Sequence, residues 1–188
     1  MAFFDRPDDA VKYYQGIAEG TPLFWAARLR QIDTLEESDH LNEAIAMLTA
    51  MSKNESTKTE AFIYMGDIYR RRQMYEQAVT AYTSALDAIG TLSPKHWPLV
   101  YARGMAFERT NKWDLAEKDL LQALEFQPDN PLVLNYLGYS WADQGKNLDK
   151  ALDMIKKAVM LRPDDGYILD SYGWALYRTG KLEESITW

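Results

Sequence analysis

An all-α solenoid of antiparallel helix pairs is the fold that this sequence predicts, and three observations predict it. Small residues recur as Ala10, Ala44, Ala78, Ala116 and Ala151, at spacings of 34, 34, 38 and 35 residues. A second set, Gly66, Gly104, Gly138 and Gly173, stands twelve or thirteen residues ahead of Ala78, Ala116, Ala151 and Ser185. Glycine and proline are otherwise sparse and fall at regular places between apolar stripes of helical spacing. Self-similarity at a fixed period of this length is the mark of stacked repeats, each of which buries its apolar face against the next.

Taken in chain order, residues 1–24 read as a partial repeat. Ala10, Tyr14 and Ile17 form a helical stripe that ends before Pro22. Residues 25–58 are a degenerate repeat that keeps Ala44, Leu48 and Met51 but carries Ile32 in the glycine slot, with Gln31 beside it. Three full repeats follow, 59–96, 97–130 and 131–165. In the first, Phe62, Met65, Tyr69, Tyr82 and Ala85 surround Gly66 and Ala78. In the second, Val100, Phe107, Leu120 and Ala123 surround Gly104 and Ala116, and Pro128 closes the unit. In the third, Leu134, Leu137, Gly138 and Trp141 share one helical face. After a break at Gln144-Gly145, Leu148, Ala151, Leu152, Ile155 and Ala158 form the opposing stripe. Pro163 ends that unit, and Asp164-Asp165 stand where the next helix is capped. Residues 166–188 begin a further repeat, with Leu169, Tyr172, Gly173 and Leu176, that is truncated after Leu182. The small pair in each unit lets two helix axes approach closely, and the bulky residues fill the space around that contact.

The units resemble the tetratricopeptide repeat, whose pattern is W-x2-L-G-x2-Y, then A-x3-F, then a closing proline. The likeness covers essentially the whole chain and implies a right-handed superhelix. Several positions depart from it. Arg103 replaces the apolar residue before Gly104, about four extra residues around Thr91–Pro98 lengthen one connection, and one extra residue near Asn147 lengthens a turn. The stretches LNYLGY (134–139) and DDGYILDSYGWALYRTGKLEE (164–184) further resemble long bacterial envelope proteins of this family. Some of those are lipid-anchored adaptors for a carboxyl-terminal processing protease. That resemblance implies a setting in the bacterial periplasm or cell envelope. The phase of the repeat places both ends of the chain inside repeats, without polar capping. It therefore predicts a fragment of a longer array, able to self-associate by stacking end to end. Residues Met1 to Asp5 have neither a basic region nor an apolar core and do not read as a signal peptide.

Bulk chemistry excludes several function classes. The chain has 188 residues, 47% of them apolar, which argues against disorder. A net charge of −7 argues against nucleic acid as the partner, because such binding rests on clustered Lys and Arg. With no cysteine, disulfides and thiolate metal sites are out of reach. No apolar run approaches the roughly 20 residues that span a bilayer, so no direct membrane insertion is expected. His40 and His96 stand far apart in connections, and a metal centre needs three or four closely spaced ligands. The glycines have a packing explanation, and no phosphate loop or nucleophile elbow is present. Acid pairs such as Glu36-Glu37 and Asp164-Asp165 fit helix ends better than carboxylate catalysis. Neither an enzyme nor a cofactor has support.

In the family's architecture the first helix of each pair lines a concave face. The positions that project there are Ile63, Tyr64, Asp67, Arg70 and Arg71; Tyr101, Met105, Glu108 and Arg109; Asn135, Tyr136, Tyr139 and Asp143; and Tyr167, Asp170, Trp174, Tyr177 and Arg178. Tyr and Trp bring large contact area at low entropy cost and recur as binding hot spots. The expected site is therefore a peptide groove made by Tyr64, Arg71, Tyr101, Arg109, Asn135, Tyr136, Tyr139, Trp174 and Tyr177. In it Arg71 and Arg109 orient the carboxylates of a partner segment. The competing reading packs several of these aromatics between neighbouring helices and makes Arg70-Arg71-Arg72 a solvated helix end. Chaperone C-termini are bound in some of these domains by Lys and Asn. Here the corresponding positions carry Ile63, Asp67, Tyr101 and Met105, which disfavours that partner.

Overall fold

A computed structural model describes residues 7–18 and 20–188, and among them every regular element is helical. The expectation for residues Met1 to Asp5 lies outside the described residues. Contacts divide the chain into two compact units, Met1–Gly90 and Thr91–Trp188.

The first unit holds α1 (Pro7–Gln15), α2 (Phe24–Glu37), α3 (Leu41–Met51), α4 (Lys58–Arg71) and α5 (Tyr75–Ile89). The α1 helix stops at Gln15, so Ile17 lies beyond it, where its carbonyl accepts from Arg28 Nη2 at 3.4 Å. The α2 and α4 helices begin at Phe24 and Lys58, one residue before the borders drawn from the repeat phase. A core of Ile32, Leu35, Ala44, Leu48, Ala61, Met65, Ile68 and Ala81 joins α2, α3, α4 and α5. Ile32, in the glycine slot of the degenerate repeat, is completely buried in it. Its neighbour Gln31 is buried too and accepts from Arg28 Nη1 at 3.0 Å. In the pair α4–α5, Gly66 faces the ring of Tyr82, which a Cβ at that position would overlap. The phenol of Tyr82 is held at its far end by Asp67 (2.8 Å) and by Arg70 Nε (3.2 Å).

The second unit opens with a 3-10 turn, Pro94–His96, inside the lengthened connection. Then come α6 (Trp97–Arg109), α7 (Trp113–Phe126), α8 (Pro131–Gln144), α9 (Leu148–Leu161), α10 (Gly166–Arg178) and the short α11 (Leu182–Ser185). Their boundaries have local causes. Asn130 caps α8, its Oδ1 accepting from Leu132 N at 3.0 Å and Val133 N at 3.3 Å, and Pro131 follows at the first helical position. Gly145 ends α8 in the left-handed conformation (φ 68°), which glycine adopts without steric cost. Asp165 Oδ1 accepts from Tyr167 N at 3.2 Å and starts α10. The α8–α9 contact closes over Gly138, where a Cβ would stand 2.7 Å from Ile155 Cγ1 and 3.0 Å from Ala151 O. Leu120, Leu137, Trp141, Ala151, Leu152, Ile155, Ala175 and Leu176 form the core of this unit.

Arg103 does not point to solvent. Its Nε and Nη2 grip both oxygens of Asp119 at 2.7 and 2.8 Å. The Asp119 side chain is only 3% exposed and the Arg103 side chain 19%. The departure from the repeat pattern is a buried, bidentate ion pair across α6 and α7. The Arg103 guanidinium also lies over Phe107, with Cζ 5.5 Å from the ring centroid.

Candidate functional site

The candidate residues sit on the first helix of each pair, and the structure separates them by how their polar ends are used. In the first unit the Tyr64 phenol donates to Asp33 Oδ1 at 2.6 Å, tying α4 to α2. Burial, then the hydrogen bond and the charge of Asp33, push the Tyr64 phenol up to about 12. Arg71 Nη2 lies 3.3 Å from Glu36 Oε2. Arg72 joins the same carboxylate at 2.9 Å, binds Asp39 at 2.8 Å, and also donates to the Glu36 carbonyl. Glu36, in the last turn of α2, is therefore the acceptor of two arginines from the end of α4, Arg71 and its C-cap Arg72. In the Arg70–Arg72 run Arg71 is exposed at the helix end, while Arg70 is engaged with Tyr82 and Asp67.

In the second unit Tyr136 donates to Glu108 Oε2 at 2.9 Å and tilts edge-on to Tyr101, with ring centroids 5.8 Å apart. Burial and the neighbouring Glu108 charge raise the Tyr136 phenol above its ordinary value. Tyr101 in turn packs on Trp97 at 6.2 Å. Arg109 extends outward, its Nε 3.9 Å from Glu108. Asn135 is half-buried, and its Oδ1 lies out of contact with solvent and without a hydrogen-bond partner.

The remaining three candidates form a different environment. Tyr139 and Tyr177 are 41% and 53% exposed. Trp174 stacks on Tyr177 with centroids 5.5 Å apart and an interplanar angle of 25°. Its indole Nε1 is buried and has no acceptor. Tyr139 and Asp143 from α8, with Asp170, Trp174 and Tyr177 from α10, line one open cleft. Trp188 stands at its side. Arg178 borders it, donating from Nη1 to the Asp143 carbonyl at 2.6 Å, with Cζ 5.6 Å from the Trp174 ring centroid.

Successive first helices are thus bridged within each unit by polar contacts: Tyr64–Asp33 and Arg71/Arg72–Glu36 in the first, Tyr136–Glu108 and Arg178 to the Asp143 carbonyl in the second. Reading the sequence for a groove missed the acceptors Asp33 and Glu36 as well as Asp119. A signal existed for the first two: an acid standing about one repeat ahead of a first-helix Tyr or Arg. Asp119 carried no such periodic signal, only the presence of one arginine in an apolar slot.

No described helix is long and apolar enough to cross a membrane. A family model for the tetratricopeptide repeat matches residues 64–131 and 101–168. A TPR repeat-containing protein of Pseudomonas aeruginosa is 33% identical over 177 residues, which are 94% of this chain and 29% of that protein. Sperm-associated antigen 1 of Mus musculus is 29% identical over 163 residues, 86% of this chain and 16% of that protein. The chain therefore spans less than a third of the length of these relatives. Among solved structures, BtubC from P. vanneervenii superposes with a TM-score of 0.80 at 16% identity, covering 96% of this chain and 84% of its own. YrrB, a TPR protein described as having an unusual peptide-binding site, superposes with a TM-score of 0.67 at 19% identity, covering 97% and 88%. Proteins of this fold are in general non-catalytic scaffolds for other proteins. Repeats that pack small residues across each helix pair, matched over more than half of the chain and in a relative that aligns with nearly all of it, show that this chain belongs to the tetratricopeptide repeat family.

Proposed function

We propose that the first-helix face of residues 91–188 binds a segment of a partner protein, with Tyr139, Trp174 and Tyr177 as its contact anchors. One observation carries this reading. Tyr139 and Tyr177 keep large exposed rings beside Trp174 in an open cleft, while Tyr64, Tyr136 and Arg71 are occupied by neighbouring acids. Rigid, amphipathic rings on packed helices are the groups that concentrate binding energy at protein interfaces. In this reading Tyr101, Arg109 and Asn135 extend the contact along α6 and α8, and Tyr64, Arg71 and Tyr136 hold the spacing of the first helices. The peptide site described for YrrB supports it only in showing that this fold carries one.

The test compares partners that co-purify with the wild-type protein and with the Tyr139→Ala/Tyr177→Ala variant. Loss of a partner from a variant with unchanged helical circular dichroism is the expected result. A variant that keeps every partner overturns the reading. End-to-end assembly, the other function open to stacked repeats, would leave the partner profile intact and depend on protein concentration instead.

A further inference from the structure

We infer that the cleft between α8 and α10 receives a cationic side chain, a lysine or an arginine, from the bound segment. The inference rests on the function proposed above and names the chemistry of its partner. Two carboxylates line the cleft, Asp143 from α8 and Asp170 from α10. Neither carboxylate makes an ion pair or hydrogen bond among the described residues; only the backbone carbonyl of Asp143 is used, by Arg178. The other walls are the aromatic Tyr139, Trp174, Tyr177 and Trp188, with the small Gly173 and Ser185 between them. No lysine or arginine lines it. Carboxylates beside aromatic faces are complementary to an ammonium or guanidinium group, which gains both ionic attraction and the ring quadrupole. An anionic side chain would meet two like charges there, and an apolar one would leave two carboxylates desolvated and unpaired.

The bordering arginine shows the same chemistry within the fold. Arg178 already lies over Trp174, with Cζ 5.6 Å from its centroid, and it is anchored by the Asp143 carbonyl. Its single positive charge leaves the two carboxylates with a net negative charge, in a chain whose overall charge is −7. The exposed faces of Tyr139 and Tyr177 remain for an incoming cation.

A displayed library of random peptides, selected on the intact protein and on two variants, tests this. The first variant is Asp143→Asn/Asp170→Asn. The second, Asp149→Asn/Asp153→Asn, removes the same charge from exposed positions on α9. Expected is enrichment of Lys- or Arg-containing peptides on the wild type, with roughly tenfold weaker binding to the first variant and little change with the second. Equal weakening by both variants would show attraction to bulk charge and overturn the inference. Selected peptides that lack Lys and Arg, and that lose binding when Tyr139 is changed to Ala, would overturn it while leaving the peptide-binding function standing. Absence of any selected peptide would count against both.

Discussion

The phenol of Tyr136 in α8 donates a 2.9 Å hydrogen bond to Oε2 of Glu108 in α6, joining two successive first helices across 28 residues of sequence. Tyr64 repeats the relationship with Asp33, across 31 residues. Each bond needs a protonated phenol, so alkaline pH works against both. The Tyr64 phenol is raised from 10.0 to about 12, and that of Tyr136 is raised as well. A raised folded-state value means that the folded chain holds the proton more tightly than the unfolded chain. For Tyr64 the stabilisation is complete below pH 10 and is lost as pH rises from there through about 12, and for Tyr136 it likewise begins to fall above pH 10. Stability from urea titrations at a series of alkaline pH values should fall less steeply in Tyr64→Phe and Tyr136→Phe than in the wild type. Identical slopes would mean that these phenols ionise freely in the folded state.

The Arg103–Asp119 pair makes a sharper energetic prediction. Arg103→Met leaves a carboxylate that is 3% exposed without its partner, and should cost about 3–5 kcal/mol of folding stability. Replacing both residues, as Arg103→Met/Asp119→Leu, removes the stranded charge and should recover most of that loss. A double variant as unstable as the single one would show that the pair is needed for its geometry rather than for charge balance.

Alanine substitutions of two glycines are expected to have opposite signs. Within a helix, alanine is favoured over glycine by about 1 kcal/mol. At Gly166, at the start of α10, a Cβ meets nothing within 4 Å, so Gly166→Ala should stabilise the chain slightly. At Gly66 the Cβ overlaps the Tyr82 ring, which is fully buried and fastened by Asp67 and Arg70. Overpacking of that kind costs about 1–3 kcal/mol and outweighs the helical preference, so Gly66→Ala should lower the melting temperature. Thermal unfolding of the two variants side by side checks the contrast.

Ile32 stands in the slot that glycine takes where the other pairs close tightly, and its side chain is completely buried. Restoring a small residue there should therefore harm the chain. Ile32→Ala is expected to destabilise it by about 2–5 kcal/mol through lost burial and the cavity left behind. A neutral Ile32→Ala would mean that α2 and α3 close in to refill the site.

Much of this protein is legible in its sequence because helix pairing is a local and periodic property. Gly138, Ala151 and Ile155 mark a close helix contact from their spacing alone, and the structure closes over Gly138 as that spacing implies. Even the odd repeat was visible, since Ile32 and Gln31 stood where a small residue recurs. The candidate groove was legible only as a face. Helical projection places Tyr64, Tyr136 and Tyr139 on comparable positions, yet Tyr64 and Tyr136 end on acids while Tyr139 lies open in a cleft.

By itself, then, the sequence determined the repeat, its small-residue contacts and the face on which its aromatics gather, because apolar periodicity dictates which side of each helix is buried. Only the tertiary structure decided that Glu108 accepts the hydrogen bond of the Tyr136 phenol, that Glu36 takes two arginines, and that Asp119 is buried against Arg103. The physical reason is range. Burial of a helix face follows from neighbours three and four residues away, whereas these hydrogen bonds join side chains 16 to 36 residues apart, and form only where packing brings donor and acceptor within about 3 Å.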